Sequence, residues 1–332
     1  MVDLPDIRCG QPQRQGKRAL KNQILADTMQ EHELVIIGAG PAGTSAGIYG
    51  RRAGLDVLLL ESGNGGSQIC NTLEVENWPG LPNVSGPELD KSFREHAGHL
   101  GCIFARGDVL GLEAQGSCHI IRTTKGDYAA KTVIIASGAT HRRLGCPGES
   151  ELTGAGVSYC AVCDAPFYEG EAVAVVGGGN TAVEEALYLT RFARKVYIVH
   201  RRDAFRADSV LANRALGNEK IIPVWNSAVE SINGSDMVEG MTVRNTTSGE
   251  CSNIDVAGVF VCVGIEPNTA FLDDRFQRTA GGWLATNTHL HTSVAGIFAA
   301  GDVRDTPLRQ IVTAAADGAL AAISAYHWLQ SR

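Results

Sequence analysis

Two cysteines three residues apart, Cys160-Ala-Val-Cys163, are followed at once by Asp164. This spacing lets two thiols close a small disulfide that exchanges readily with other thiols. The thiolate is the reactive form, so such a pair needs a low thiol pKa or a neighbouring acid and base. Asp164, adjacent to Cys163, is the candidate for supplying and removing the proton. The pair lies between two glycine-rich fingerprints, Gly38-Ala-Gly40-Pro41-Ala42-Gly43 and Gly177-Gly-Gly179-Asn180-Thr181-Ala182. A nucleotide on either side of a disulfide points to electrons passing from one into the other. One cysteine must then reach the electron relay, and the other must attack an incoming disulfide.

Other readings of the pair compete on spacing alone. A zinc site needs two further ligands, and no second C-x-x-C exists; Cys146 and His141 are the nearest upstream candidates and are irregularly spaced. No metal is therefore expected. Two buried structural cysteines would show the same spacing. Cys9, Cys70, Cys102, Cys118, Cys146, Cys251 and Cys262 are read as structural or incidental, and Cys262 as a core residue within a strand.

A single G-x-G-x-x-G is a weak signal, because glycine-rich turns are common. Here each copy follows an apolar run and opens a helix-like segment, the context a dinucleotide site requires. The third small position is Gly43 in one copy and Ala182 in the other. Backbone N–H groups at such a helix start can hold a pyrophosphate. The ends of the following strands discriminate the two sites. Glu61 lies 23 residues after Gly38, where a carboxylate accepts from ribose hydroxyls. The equivalent position after Gly177 is His200, followed by Arg201, Arg202 and Arg206. Guanidinium forks match a 2′-phosphate, so the second site is assigned to NADPH. A nicotinamide does not by itself reduce a disulfide efficiently, so the first site is assigned to FAD as the relay. Asp302, in Ala-Gly301-Asp302, is placed to meet a ribityl hydroxyl; a turn or cap role would use the same residue.

The elements that must position these groups follow from the apolar pattern. Leu34–Ile37 is a buried strand, 42–53 a helix, and 56–61 a second strand. Short β-like runs fill 102–131, and Val133–Ala136 returns as a buried strand ending at Ser137-Gly138. The same plan repeats: a strand at 172–176, a helix at 182–192, a strand at 195–200, β-like runs over 221–258, and a closing strand at 259–262. Residues 268–332 hold one more strand, ending at Gly301-Asp302, and a last helix over 311–329. The expected fold is α/β: two Rossmann-like, doubly wound nucleotide-binding domains with β-meanders, the NADPH domain inserted in the FAD domain. The FAD-binding domain takes 31–142 and 268–332, and the NADPH-binding domain 143–267 with the redox pair.

The bulk numbers fit that plan. A chain of 332 residues is long for one core. A net charge of −7 with no basic stripe argues against nucleic acid as the partner. No apolar run reaches membrane-spanning length, and nine cysteines, seven of them scattered, fit a reducing compartment, so a cytoplasmic protein is expected. Residues 1–30 carry Arg8, Arg14, Lys17, Arg18 and Lys21, but also three acids and no serine. They are read as a loose extension rather than a transit peptide.

Six motifs in order resemble the low-molecular-weight thioredoxin reductases of bacteria, fungi and plants. They are Gly38–Gly43, Glu76-Asn-Trp-Pro-Gly80, Cys160–Asp164, Gly177–Ala186, His200-Arg-Arg-Asp-Ala-Phe-Arg206, and Gly301-Asp302 with Arg309-Gln310. The resemblance runs from about Glu31 to the C-terminus. It implies a homodimer with tightly bound FAD, thioredoxin as the substrate, Cys163 facing the flavin, Cys160 attacking thioredoxin, and Asp164 as acid and base. It also implies that Gly66, Gln68, Asn77, Gly138 and Arg309-Gln310 line the FAD, with Val109 near the adenine, and that the two domains rotate between two arrangements. The chain departs from the pattern at three places. Ser67 stands where members show glycine, Ala155 stands where many carry a basic residue, and Asp164-Ala-Pro-Phe replaces Asp-Gly-Phe-Phe. A related flavin disulfide oxidase or ferredoxin-linked reductase is the alternative enzyme, although such proteins usually lose the basic motif at 200–206. A nucleotide-binding redox sensor is the alternative without catalysis.

Overall fold

Leu34, Val35, Ile36 and Ile37 are all buried because the strand they form has both faces covered. The computed structural model describes residues 29–332 except 64–66, 73 and 116–117. The extension at 1–28 and Gly65 and Gly66 of the flavin-side loop lie outside the described residues. In β1 (Gln30–Ile37), Leu34 and Ile36 pack with Val57, Leu59, Ile134 and Phe298, whereas Val35 and Ile37 pack with Leu58, Leu60, Val133 and Ile297. Successive side chains point to opposite faces, so a run with no polar break fills two cores.

The first half builds a seven-stranded sheet. After β1 come α1 (Pro41–Arg52), β2 (Val57–Glu61), α2 (Gly86–His99) and β3 (Ile103–Arg106). β4 (Val109–Gln115), β5 (Cys118–Thr123) and β6 (Tyr128–Ile135) follow as an antiparallel meander. The strand expected at 133–136 is not separate. It is the second half of β6, whose first half pairs with β5 and whose second half pairs with a strand from the C-terminal segment. The order is β3-β2-β1-β6-β5-β4.

The chain leaves this sheet through β7 (Ala139–His141) and enters the second through β8 (Val157–Ser158) and α3 (Ala161–Asp164). β9 (Ala172–Val176), α4 (Asn180–Leu189), β10 (Lys195–Val199), α5 (Ser209–Leu216) and β11 (Ile221–Val224) repeat the βαβ plan. β11 corrects the reading of 221–258 as meander throughout. It is a parallel strand beside β10 and forms the sheet edge, where Pro223 costs no ladder bond. The meander proper is β12 (Ser227–Asn233), β13 (Gly240–Asn245) and β14 (Cys251–Ile254), a separate three-stranded sheet. β15 (Gly258–Val261) closes the second sheet in the order β11-β10-β9-β15-β8.

The return passes through β16 (Ile265–Pro267), which pairs antiparallel with β7, so the two crossings run side by side. β17 (Ile297–Ala299) then joins β6 in parallel, and α6 (Ile311–Gln330) packs on α1. The crossing of α1 and α6 is close: a methyl group at Gly318 would run into the Ala42 carbonyl. The insertion of one Rossmann-like unit into another is thus written in the sheet pairing.

Candidate functional site

Both glycine loops solve the same geometric problem. β1 ends at Ile37, and Gly38 turns the chain at φ +111°, with a Cβ there blocked by the Ala136 carbonyl. Gly43 packs against Gly38, and a side chain would strike the Gly38 carbonyl. Gly40, between them, faces open space apart from the Ser67 Cβ at 3.4 Å. Pro41 fills the first helical position with its φ already set, and no side chain caps α1. In the second loop a Cβ at Gly177 would clash with Ala182, while one at Gly179 would meet nothing within 4 Å. Asn180 and Thr181 open α4, again with no side-chain cap. In each loop, outer small residues close the turn and the middle glycine leaves the backbone open to a pyrophosphate. A cleft of about 1850 Å³ runs across both loops and the cysteine pair. That is well above the roughly 300–1,000 Å³ of an ordinary small-molecule site. The residues present therefore fit a dinucleotide at each loop.

The strand ends differ as expected, with an unexpected elaboration on the first. Glu61 lines the cleft, but its Oε2 also takes the Arg94 Nη1 at 2.7 Å. Arg94 Nε reaches Asp90 Oδ2 at 2.6 Å, and Asp90 Oδ1 accepts from the Ser67 hydroxyl at 2.6 Å. The Glu61 and Asp90 side chains are 11% and 8% exposed, so these are desolvated charges held by partners. Ser67, the departure from glycine, is one end of this chain of bonds.

At the second loop the charge sits on arginines and not on His200. Arg201 and Arg206 are exposed and line the cleft; Arg202 is exposed but lies beyond its wall. His200 is buried beneath Gly178, where a Cβ would touch its ring, and beside Phe205 and Trp225. Burial and then the charges of Arg206, Arg202 and Arg201 hold its pKa below the ordinary value, so it is a neutral floor. Asn180 and Asp208 exchange two hydrogen bonds, of 2.9 and 2.8 Å, that pin the arginine loop to the start of α4.

Cys160 and Cys163 are disulfide-bonded with Cα atoms 5.3 Å apart. Cys160 is the N-cap of α3, and its Sγ accepts the Cys163 backbone N–H at 3.2 Å. That donor favours a thiolate on Cys160 once the bond opens. The Ser158 hydroxyl accepts the Cys160 N–H at 3.1 Å and donates to the Cys160 carbonyl at 3.3 Å. Burial pushes the Asp164 pKa up, against the lowering pull of the Ser158 hydroxyl. A half-buried carboxyl with a raised pKa is suited to general acid work.

The pair meets the first half of the molecule at Gln310. Gln310 Nε2 lies 3.7 Å from Cys160 Sγ and 3.8 Å from Cys163 Sγ, and its Oε1 accepts from Asn77 Nδ2 at 3.0 Å. Gln310 also caps α6, which fixes it to the scaffold. Gln68 reaches the Ala139 carbonyl, over Gly138. Val109 is half-buried at the start of β4 and lines the cleft. Asp302 lines it too, its pKa raised by burial against the pull of Arg309. Arg309 stacks on Trp283 at 3.7 Å, and its Nε is buried with no protein partner among the described residues. An orphaned buried donor in a dinucleotide cleft fits an acceptor supplied by a bound group. Gly301 lies behind the wall, its N–H given to Asp317.

The chain matches the pyridine nucleotide-disulphide oxidoreductase family over residues 32–318. It belongs to that family. It is similar to the thioredoxin reductase of Bacillus subtilis (strain 168), 45% identical over 300 residues that cover 90% of this chain and 95% of the relative. Its structure is similar to that of the thioredoxin reductase of Streptococcus pyogenes MGAS5005, at TM-score 0.89 and 44% identity, covering 92% of this chain and all of that one. The thioredoxin reductase of Lactococcus lactis in its FR conformation gives TM-score 0.62 at 43% identity, covering 91% and 100%. The chain is an FAD-binding, NADPH-dependent oxidoreductase of this family.

Ser158, Asp90, Arg94 and Trp283 were not anticipated from the sequence. Nor was Glu185, whose Oε2 accepts the Cys262 thiol at 2.7 Å. Cys262 packs against the core as expected, but one residue beyond its expected strand. β15 ends at Val261, and Cys262 is half-buried with its sulfur turned to Glu185. The one sequence signal was a pair of acids, Glu184-Glu185, directly after the apolar Ala182-Val183.

Proposed function

We propose that this chain carries two electrons from NADPH, through FAD and the Cys160–Cys163 disulfide, to the disulfide of thioredoxin, the substrate named in its relatives. The observation that carries this reading is the redox pair seated against Gln310 in a cleft shared by both nucleotide loops. FAD, when bound, links the two-electron chemistry of a nicotinamide to that of a disulfide. Gly38–Gly43, Glu61, Gln68, Asn77, Asp302 and the Arg309-Gln310 pair hold it; Gly177–Ala182 with Arg201 and Arg206 hold NADPH. Reduction breaks the Cys160–Cys163 bond with two electrons and, once one proton is taken up, leaves one thiol and one thiolate. Cys160, favoured as thiolate by the Cys163 N–H, attacks thioredoxin and forms a mixed disulfide. Cys163 then displaces reduced thioredoxin and restores the starting bond. Asp164 is the acid and base for these exchanges.

A pair lodged against Gln310 cannot meet a protein, so delivery needs a second arrangement. We assign 31–142 with 268–332 to the FAD-binding domain and 143–267 to the NADPH-binding domain, turning about the paired crossings β7 and β16. Two relatives of nearly equal identity, at TM-scores 0.89 and 0.62, support a fold with two arrangements. A cytoplasmic homodimer is the setting we propose. Among the described residues no helix is long and apolar enough to cross a membrane.

The test is thioredoxin-dependent oxidation of NADPH by the yellow, as-purified protein. Cys160→Ser and Cys163→Ser are expected to abolish it. Normal turnover by either variant, or turnover with reduced ferredoxin and none with NADPH, would contradict the reading.

A further inference from the structure

Arg309 is held by an aromatic face and not by a carboxylate. Among the described residues its guanidinium has no ion pair and no hydrogen bond, and its Cζ lies 3.7 Å over the centre of the Trp283 ring. Arg94 and Arg304, by contrast, each meet a carboxylate at 2.6 Å. A guanidinium paired with a carboxylate has its charge cancelled and its donors taken, whereas one stacked on an indole keeps both. Arg309 lines the cleft, and Trp283 stands behind the wall. The backbone sets this stack. Gly282, at φ +85°, gives its N–H to the Thr279 carbonyl at 2.9 Å, and the Thr279 N–H returns to the Trp283 carbonyl at 2.9 Å. Gly281 is flush with one edge of the indole, where a Cβ would lie 2.8 Å from Nε1. The next residue, Leu284, is fully buried; it donates to the Val303 carbonyl at 3.1 Å and accepts from the Asp305 N–H at 3.0 Å. Gln310, directly after Arg309, caps α6, and Asp317 of α6 holds Arg304. Platform and guanidinium are therefore tied to one stretch of scaffold, 303–310.

We propose that Trp283 is a positioning residue of the FAD site, whose indole face holds the Arg309 guanidinium with its charge and donors left available to an acceptor on the bound cofactor. This rests on the FAD contact given to Arg309 above. A free arginine side chain gives up its rotamer freedom when it binds; one stacked beforehand has already given it up, so less of the binding energy is lost. Tryptophan offers the best face for a cation, and the contact strengthens away from water. An apolar side chain of similar bulk fills the same space but gives the cation nothing to rest on.

The experiment is the Kd for FAD, read from the flavin fluorescence released as the FAD-loaded protein is diluted, with circular dichroism as the control for folding. Trp283→Leu is expected to raise the Kd roughly 10-fold, and Trp283→Phe, which keeps an aromatic face, by less than about 3-fold. In a protein already carrying Arg309→Met, Trp283→Leu should cost nothing further, because the platform then has no cation to hold. Equal effects of Trp283→Leu and Trp283→Phe overturn the proposal, since they mark a packing role. So do losses that add in full when Trp283→Leu is combined with Arg309→Met. Trp283→Met, which also lacks the aromatic face, decides the same comparisons if Trp283→Leu does not fold. An unmodified protein that binds no FAD would instead defeat the functional reading itself.

Discussion

The two nucleotide loops share a backbone plan and differ in where their charge is kept. At the first, Glu61 is bound into a buried line of partners through Arg94 and Asp90 to Ser67. At the second, Arg201 and Arg206 stand exposed, with no ion pair among the described residues. A tightly held relay wants an acceptor fixed before binding, whereas a cofactor that comes and goes wants cations that reach into solvent. The difference predicts that damage to the first loop is felt as stability and FAD retention, and damage to the second as NADPH affinity alone.

The largest effect should follow from Arg94→Met. It removes the guanidinium that bridges the buried carboxylates of Asp90 and Glu61, which costs about 3 kcal/mol. Thermal unfolding should drop and FAD should dissociate on gel filtration; a variant that stays yellow with an unchanged Tm would break the comparison. Acid should act next, again through the first half. His119, on β5, is fully buried, its pKa lowered to about 4 by burial and by Arg332 and Arg275. The unfolded chain takes up this proton near 6.5 and the folded one only near 4. Stability is therefore complete above 6.5 and is lost as pH falls through that window, by about 3 kcal/mol for a shift of this size. Urea midpoints at pH 7 and pH 4.5 for wild type and His119→Phe check this; parallel slopes would refute it.

Arg201→Ala with Arg206→Ala should raise the KM for NADPH by about 10–100-fold, the value of one or two charge-assisted bonds, and change that for NADH little. Equal losses for both nucleotides would remove the 2′-phosphate assignment. The smallest effect belongs to Ser67→Gly, which leaves Asp90 short of a donor. A cost of about 1 kcal/mol is expected, seen as a several-fold weaker FAD Kd by flavin fluorescence.

What was legible in the sequence was local. Cys160-x-x-Cys163 and the two loops are short motifs whose chemistry lies in their own spacing. Leu34–Ile37 and Ala172–Val176 are apolar throughout because both sheet faces are covered. What was not legible depends on residues far apart in the chain. Asn77 meets Gln310 across 233 positions, and Glu185 meets Cys262 across 77. Cys262 reads as core because it continues an apolar run, and it does pack on the core, but nothing local shows that its thiol meets a carboxyl. His200 stands in a run of cations, but its burial and those same charges hold its pKa down, which the sequence does not show.

The central claim is that the Cys160–Cys163 pair is a second two-electron acceptor beyond the flavin. Anaerobic titration with NADPH, followed by flavin absorbance, tests it most directly. The account predicts that the unmodified protein consumes two equivalents per flavin before full bleaching, and Cys163→Ser only one. Bleaching after a single equivalent in both proteins would mean that the pair takes no electrons from the flavin.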